Sequence, residues 1–178
     1  MKSLAILFVF YATQVIALDI PSKCHVDNQD PGYCAWASLE ILGRVHGIQE
    51  LDNILENRKK DVDTYVLNSY NQWVKHPKNL GYNYALRGKL TKLKVKFWMQ
   101  DSGLYSRKLL KYADSHGCLV AVKAGAIPGL KEAHGIIITK YKDGAVTFYD
   151  CNTPQKTWVA TKEWFDYYWT GLAIVVEK

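Results

Sequence analysis

Apolar residues recur at helical spacing through the first part of the chain. A helix is predicted to begin at Cys34 and to end at Gly47, because its apolar positions fall on one face and a glycine follows the last of them. The same spacing predicts helices over 48–60, 62–75 and 104–115. The helical segments therefore dominate the N-terminal half of the chain.

The pattern changes to short β-branched and alternating stretches in the C-terminal half. Asp143 and Gly144 form a typical tight-turn pair between two such stretches, which predicts a hairpin. Thr161 is expected to cap a short helix that contains Trp164 and Phe165. Strands are predicted at 93–97, 118–122, 136–141, 146–150, 157–159 and 172–176. Helices followed by an antiparallel sheet indicate the α+β class.

The N-terminal segment has the features of an export signal. Lys2 supplies a positive charge, and an apolar run follows from Leu4 to Ala17. This run is short for a membrane span, which needs about 20 residues. We expect a signal peptide over 1–17 and a mature domain over 18–178, secreted or otherwise extracytoplasmic and without a stable membrane span. An uncleaved anchor is the alternative.

Composition and charge are those of an ordinary globular domain. The chain has 178 residues, of which 48% are hydrophobic and 22% charged, which suits one domain. The net charge of +6 is spread along the sequence. The cluster at 58–60 is interpreted as a solvated helix face, so no nucleic-acid partner is expected. A monomer is expected.

Four cysteines, at positions 24, 34, 118 and 151, limit the covalent chemistry. None belongs to a Cys-x-x-Cys pair, so no structural zinc site is predicted, and no metal or cofactor is expected. If Cys34 must stay free to react, at most one disulfide can form among Cys24, Cys118 and Cys151. The sequence does not say which two would pair.

Cys34 is the candidate nucleophile. It follows a glycine-containing turn and opens a helix, where the helix dipole favours a thiolate. The free backbone N–H groups of that turn are also suited to bind an oxyanion. The alternative is an unreactive buried cysteine.

His134 and Asp150 are the candidate base and orienting acid. His134 precedes an apolar strand, so its ring can face a cleft and accept the thiol proton. Asp150 ends the partner strand, and a hairpin with equal arms would return its carboxylate to the imidazole. Asn152 is a rival for the acid's role. The alternatives are that His134 is an ordinary surface histidine and that Asp150 is an ordinary turn aspartate.

Gln29 is the candidate oxyanion donor. It precedes Cys34 by a short turn, and its amide could donate together with a backbone N–H. Asn28 is an alternative donor. The other interpretation of Gln29 is an ordinary loop glutamine.

These residues, in this order, resemble the papain-like cysteine peptidases. The stretch from Gln29 to Leu39 is similar to their Gln…Cys…Trp-Ala-Ser helix start, and 134–150 is similar to their His-and-Asn/Asp hairpin. An Asp as the third member, together with the segment Glu163 to Gly171, resembles the C39 and C39-like branch. The resemblance implies a papain-like fold in which the nucleophile helix packs on a C-terminal antiparallel sheet.

The resemblance also implies a thiol peptidase that acts on a peptide or protein substrate and cleaves peptide bonds through a Cys-His-Asp triad and an acyl-enzyme. Two alternatives stay open. A papain-like fold can also host amidases, transferases or cell-wall hydrolases, because fold does not fix function. A catalytically degenerate module could instead bind peptides without cleaving them. Cleavage specificity and biological target do not follow from the sequence.

Overall fold

One antiparallel sheet organises the part of the chain that the computed structural model describes, which is residues 18–28, 32–56, 94–98 and 103–177. Six strands form this sheet in the order β1-β6-β2-β3-β4-β5. The strands are β1 Lys94–Trp98, β2 Cys118–Val122, β3 His134–Lys142, β4 Ala145–Tyr149, β5 Thr157–Thr161 and β6 Trp169–Glu177. All pairings are antiparallel, so the α+β prediction is confirmed.

The described helices begin and end close to where the sequence pattern predicts. They are α1 Cys34–His46, α2 Gly103–His116 and α3 Lys162–Tyr168, with short 3-10 turns at Ser22–Cys24 and Gln49–Leu51. Gly47 ends α1 with a left-handed φ of 65°. Thr161 caps α3, because its hydroxyl accepts a hydrogen bond from the Trp164 N–H at 3.2 Å.

The sheet is buried on both faces. Alternate residues of the central strands point to opposite sides, so Ile136 and Ile138 pack with α2 and α3, whereas Leu119 and Ile137 pack with α1. Every residue of β2 is buried. A central strand that is buried on both faces consists of a continuous run of apolar residues. Cys118–Val122 therefore shows no alternation of apolar and polar residues in the sequence.

The segment after α1 differs from the predicted helix over 48–60. A 3-10 turn at Gln49–Leu51 replaces its beginning, and Asn53 adopts a positive φ of 59° that an α-helix does not contain. Buried Glu40 of α1 holds this segment by accepting the Leu55 N–H at 2.9 Å. The α-helical structure begins only at residue 54, so the prediction is wrong for 48–53 and confirmed for 54–56, and residues 57–60 lie outside the described residues.

The β3–β4 hairpin does not have equal arms, so that part of the sequence argument is wrong. Asp143 and Gly144 make the turn as expected, but β3 has nine residues and β4 has five. The register also shifts between Ile138 and Lys140, which leaves Thr139 as an extra residue in β3. The pairing of Ile137 with Tyr149, if continued, would set His134 opposite Asn152 rather than Asp150.

The N-terminal segment Leu18–Asn28 lies against the hairpin and α1. The Leu18 N–H donates to the Thr139 carbonyl at 3.0 Å, and Arg44 donates to the His25 carbonyl at 3.2 Å. No helix among the described residues is long and apolar enough to cross a membrane. The predicted signal at 1–17, the predicted helix at 62–75 and Gln29 lie outside the described residues, and the boundary between 1–17 and 18–178 stays a prediction.

Candidate active site

Cys34 is the first residue of α1, and its thiol is partly buried. The side chain of Tyr33, which precedes the helix, does not cap it. N–H groups in the first turn of a helix have no acceptor within the helix, so they can serve an anion at this end. The Ala35 N–H already lies close enough to the Cys34 sulfur to stabilise its negative charge.

Strand β3 supplies a second backbone donor to the same sulfur. The Gly135 N–H donates to Cys34 Sγ at 3.2 Å. A Cβ atom at position 135 would lie 3.1 Å from Ala35 Cα and 3.2 Å from Ala35 N, tighter than most carbon contacts. The absence of a side chain at Gly135 is therefore what lets β3 approach the start of α1 closely enough for this hydrogen bond.

His134 and Asp150 form a buried pair next to the thiol. His134 Nε2 lies 2.8 Å from Asp150 Oδ1, and both side chains are about 5% exposed. An ionised carboxylate can only accept, so Nε2 carries the proton of this bond. The other ring nitrogen is left for Cys34, with which the imidazole makes a side-chain hydrogen bond. The structure therefore connects the three predicted residues in the order Cys34, His134, Asp150.

The electrostatics of the group favour a thiolate paired with an imidazolium. Burial alone would raise the pKa of Cys34, but the hydrogen bond and charge of His134, with the two backbone N–H groups, hold it below its ordinary value. Burial alone would lower the pKa of His134, but the contacts with Asp150 and Cys34 raise it to about 9. A proton therefore moves readily from the thiol to the ring.

Asp150 is held as an anion by its own loop. Burial would raise its pKa, but the hydrogen bonds from His134, the Asn152 N–H and Thr153 keep that pKa below the ordinary value. The Asn152 N–H donates to Asp150 Oδ1 at 2.9 Å. The histidine's partner is thus Asp150, whereas the rival Asn152 contributes its backbone to the acid and not its side chain to the ring.

Among the described residues, the alternative oxyanion donor Asn28 makes its recorded side-chain hydrogen bond away from Cys34. Asn28 uses its amide nitrogen to donate to Asn152 Oδ1 at 3.0 Å, in the loop after Asp150. Gln29 lies outside the described residues, so its assignment stays a prediction.

Cys151 brings a second thiol close to the pair. Polar atoms of His134, Asp150 and Cys151 lie within 4.8 Å of one another, a donor set that zinc could use. However, two ligands on a tetrahedral zinc ion stand about 3.3 Å apart, whereas the His134 and Asp150 atoms are bonded at 2.8 Å. Burial also raises the pKa of Cys151 to about 12, so without an ion it is a thiol. The arrangement therefore fits an ion pair better than a metal centre.

All four cysteines are free in the structure. Cys118 packs in the core on the α2 side of the sheet and Cys151 in the core on the α1 side, so the sheet separates these two. Burial also raises the pKa of Cys118 far above the ordinary thiol range. Cys34 differs from both Cys118 and Cys151, because its pKa is lowered and its side chain is not fully buried.

Sequence reasoning missed Gly135 and the loop residues that hold Asp150. A glycine immediately after the histidine was a signal for close backbone approach, because glycine inside a strand often marks such a place. The role of Thr153, whose hydroxyl lies 3.4 Å from Asp150 Oδ2, had no comparable signal.

Comparison with known proteins reveals the fold but no near relative. No family description matches the sequence, and no curated protein does either. A solved double glycine motif protease from an AMS/PCAT transporter, in complex with the leader peptide, is similar over 90% of this chain and 92% of that one, with a TM-score of 0.51 and 18% identity. The peptidase domain of Streptococcus ComA, a bi-functional ABC transporter, is 19% identical over 86% of this chain and 97% of that one, with a TM-score of 0.49. The first of these confirms the predicted fold, that of the C39 double-glycine peptidase domains.

Proposed function

We propose that this chain is a cysteine peptidase that hydrolyses peptide bonds through Cys34, His134 and Asp150. One observation carries the proposal: the nucleophile, the ring and the carboxylate form a continuous hydrogen-bonded chain at the start of α1. That chain joins residues 34, 134 and 150, which the sequence separates widely. A fold alone would not require it, since fold and function vary independently.

The chemistry follows from the polarity of the group. The Cys34 thiolate attacks the carbonyl carbon of the substrate, and the C–S bond forms as the carbonyl electrons move to oxygen. His134, as imidazolium, gives its proton to the leaving amine, and the C–N bond breaks to leave an acyl-enzyme. Neutral His134 then takes a proton from water, which attacks the thioester and releases the acid and the thiol. Asp150 keeps the ring oriented throughout.

The start of α1 offers the electrostatic stabilisation that the tetrahedral intermediate needs. Backbone N–H groups of a helix start are fixed before the reaction, so they bind the developing oxyanion without reorganisation. Gln29 is proposed as the side-chain donor that completes this site, and Asn28 is the alternative.

A peptide is the proposed substrate, and the extracytoplasmic side of a membrane is the proposed location. The similar double glycine motif protease was solved with a leader peptide, which supports a peptide as the ligand of this fold. The location rests on the signal-like run from Leu4 to Ala17. The fold allows amidase, transferase or cell-wall hydrolase chemistry as the second candidate, and the same triad would serve it.

The decisive experiment is product analysis of the mature domain, residues 18–178, incubated with a peptide library and read by mass spectrometry. Cleaved peptides with free carboxyl ends are expected. Release of ammonia from amides, or of muropeptides from purified cell wall, with an untouched library would favour the second candidate. Selective alkylation of Cys34 by iodoacetamide below pH 7 is also expected. A protein that binds peptides but leaves Cys34 unlabelled would be a binding module, and the proposal would fail.

A further inference from the structure

Both oxygens of the Asp150 carboxylate accept hydrogen bonds, and these bonds fix the plane of the carboxylate. Oδ1 accepts from His134 Nε2 at 2.8 Å and from the Asn152 N–H at 2.9 Å. Oδ2 faces the Thr153 hydroxyl at 3.4 Å. Rotation about the last side-chain bond moves both oxygens, so the contacts at Oδ1 and Oδ2 oppose it together. Thr153 supplies the side-chain contact at Oδ2.

The Thr153 hydroxyl is oriented in turn by Trp158. The indole Nε1 donates to Thr153 Oγ1 at 3.0 Å. An indole N–H can only donate, so the threonine oxygen accepts this bond and its single proton is directed elsewhere. Asp150 Oδ2 is the acceptor within reach. Trp158 thus donates to Thr153 and Thr153 to Asp150, and the carboxylate also accepts from His134, so a series of hydrogen bonds connects the indole to the base through Asp150.

Trp158 is a rigid starting point for this series. It is 6% exposed and stacks on Phe148, its cross-strand partner in β4, with ring centroids 6.0 Å apart and planes 5° apart. The ammonium of Lys156 lies 3.3 Å from the centroid of the indole ring. The loop is also closed by backbone bonds, since the Thr153 N–H donates to the Asp150 carbonyl at 3.0 Å. The indole nitrogen therefore has one position relative to Asp150.

We propose that Thr153 and Trp158 are positioning residues that hold Asp150, and through it His134, in the orientation that stabilises the Cys34 thiolate. Neither side chain contacts Cys34 or His134 by a hydrogen bond that the structure records. Their effect passes through the carboxylate, as outer partners of metal-binding and catalytic histidines commonly act. The consequence for peptide cleavage rests on the function proposed above, but the effect on Cys34 can be measured without a substrate.

The test measures the rate of Cys34 alkylation by iodoacetamide against pH, with the labelled site identified by mass spectrometry. The groups that face His134 in the described residues are Cys34 from α1 and Asp150 and Cys151 from the loop after β4, and the Lys156 ammonium lies over the Trp158 ring. Thr153→Val removes the hydroxyl at nearly constant volume. The midpoint of alkylation is expected to rise by about half a pH unit or more, since the thiolate loses a well-oriented imidazolium.

Two conservative variants separate positioning from folding. Thr153→Ser keeps the hydroxyl and is expected to restore the wild-type midpoint. Trp158→Phe keeps the aromatic stack but removes the indole donor, and a rise in the same direction is expected. Because both changes act on one hydrogen-bonded series, the double variant Thr153→Val with Trp158→Phe should raise the midpoint no further than Thr153→Val alone.

Trp164 offers a matched control. It stacks on the same Phe148 at 5.1 Å, and its Nε1 donates at 3.0 Å, but to the Ala126 carbonyl, on the α3 side of the sheet. Trp164→Phe therefore removes an equivalent bond without touching Asp150, and the alkylation midpoint should stay at the wild-type value.

An unchanged midpoint in Thr153→Val, or an equal rise in Trp164→Phe, would overturn the positioning role while leaving the triad intact. A wild-type midpoint at the ordinary thiol value would instead overturn the ion pair itself, and with it both proposals.

Discussion

Cys34 and His134 face each other from two elements that hold them by different means. At the start of α1 the thiol is surrounded by backbone donors, the N–H groups of Ala35 and Gly135. At the end of the β3–β4 hairpin the imidazole is held by side chains, first Asp150 and then the residues of its loop. Backbone donors are present whatever the side chains are, whereas each side-chain contact depends on one residue type.

This difference predicts how each region responds to substitution. The helix side should fail completely when the nucleophile is lost, and its backbone donors should weaken only when a new side chain forces β3 away from α1. The hairpin side should respond in steps, because Asn, Ser or Phe can keep part of a contact that Asp, Thr or Trp makes. The four predictions that follow test this contrast in order of decreasing effect.

Replacing the nucleophile should have the largest effect. Cys34→Ala is expected to reduce peptide hydrolysis to background, since loss of a triad nucleophile costs on the order of 10⁶ in kcat. The fold should survive, because alanine is favourable in a helix. Turnover assays paired with circular dichroism test this. A folded Cys34→Ala protein with measurable turnover would remove the nucleophile assignment.

Replacing the acid should produce a graded loss on the hairpin side. Asp150→Asn keeps a hydrogen bond to His134 and should retain more activity than Asp150→Ala, whose loss can reach about four orders of magnitude. The carboxylate raises the pKa of His134, which lies at about 9, so its removal lowers that pKa. The alkaline limb of the rate profile should therefore move to lower pH.

Kinetics of these variants across pH decide the assignment, and Asn152→Ala serves as the comparison. If Asp150→Ala keeps the wild-type rate and both limbs of the wild-type pH profile while Asn152→Ala is inactive, the orienting role belongs to Asn152.

Adding a methyl group at Gly135 should disturb the helix side through the backbone. Its Cβ would meet Ala35 Cα at 3.1 Å, so β3 and α1 must separate and the Gly135 N–H bond to Cys34 Sγ must lengthen. We expect the Cys34 pKa to rise and activity near neutral pH to fall by about tenfold, which corresponds to about one pKa unit. The acid limb of the alkylation profile should move to higher pH.

Ala113→Gly provides a stability control for Gly135→Ala. Ala113 is fully buried in α2, on the opposite face of the sheet from α1, and glycine there should cost about 1 kcal/mol of unfolding free energy. The acid limb of the alkylation profile of Ala113→Gly should match that of the wild type. If Ala113→Gly shifts the limb as far as Gly135→Ala does, the effect reflects general destabilisation rather than the lost donor.

The smallest effect is expected at Cys151, although it lies beside both regions. Its Sγ atom is 3.9 Å from the Cys34 carbonyl and 3.7 Å from Asn152 Oδ1, distances typical of weak thiol contacts. Cys151→Ser should therefore keep kcat/KM within about twofold and leave Cys34 as the labelled residue. A large loss of activity, or labelling of Cys151 in the wild type, would show that the second thiol takes part.

Local sequence pattern was sufficient for the elements that carry the site. The helix from Cys34 to Gly47, the hairpin turn at Asp143-Gly144 and the capped helix after Thr161 were all predicted from spacing and turn chemistry. These features depend on residues a few positions apart, so a short stretch of sequence is enough to determine each of them. The order of Cys34, His134 and Asp150 along the chain, with the resemblance it carries, was sufficient to select three residues that the structure places together.

Only the tertiary structure decided how those residues meet. The equal-armed hairpin was the wrong reason for a correct pairing, because the register of Ile137 with Tyr149 sets His134 opposite Asn152, and Asp150 reaches His134 diagonally instead. The Gly135 donor to Cys34 joins residues 101 positions apart, and the Trp158 bond to Thr153 depends on which residues stack across β4 and β5. Such contacts depend on packing between distant segments, so the periodicity of either segment does not predict them.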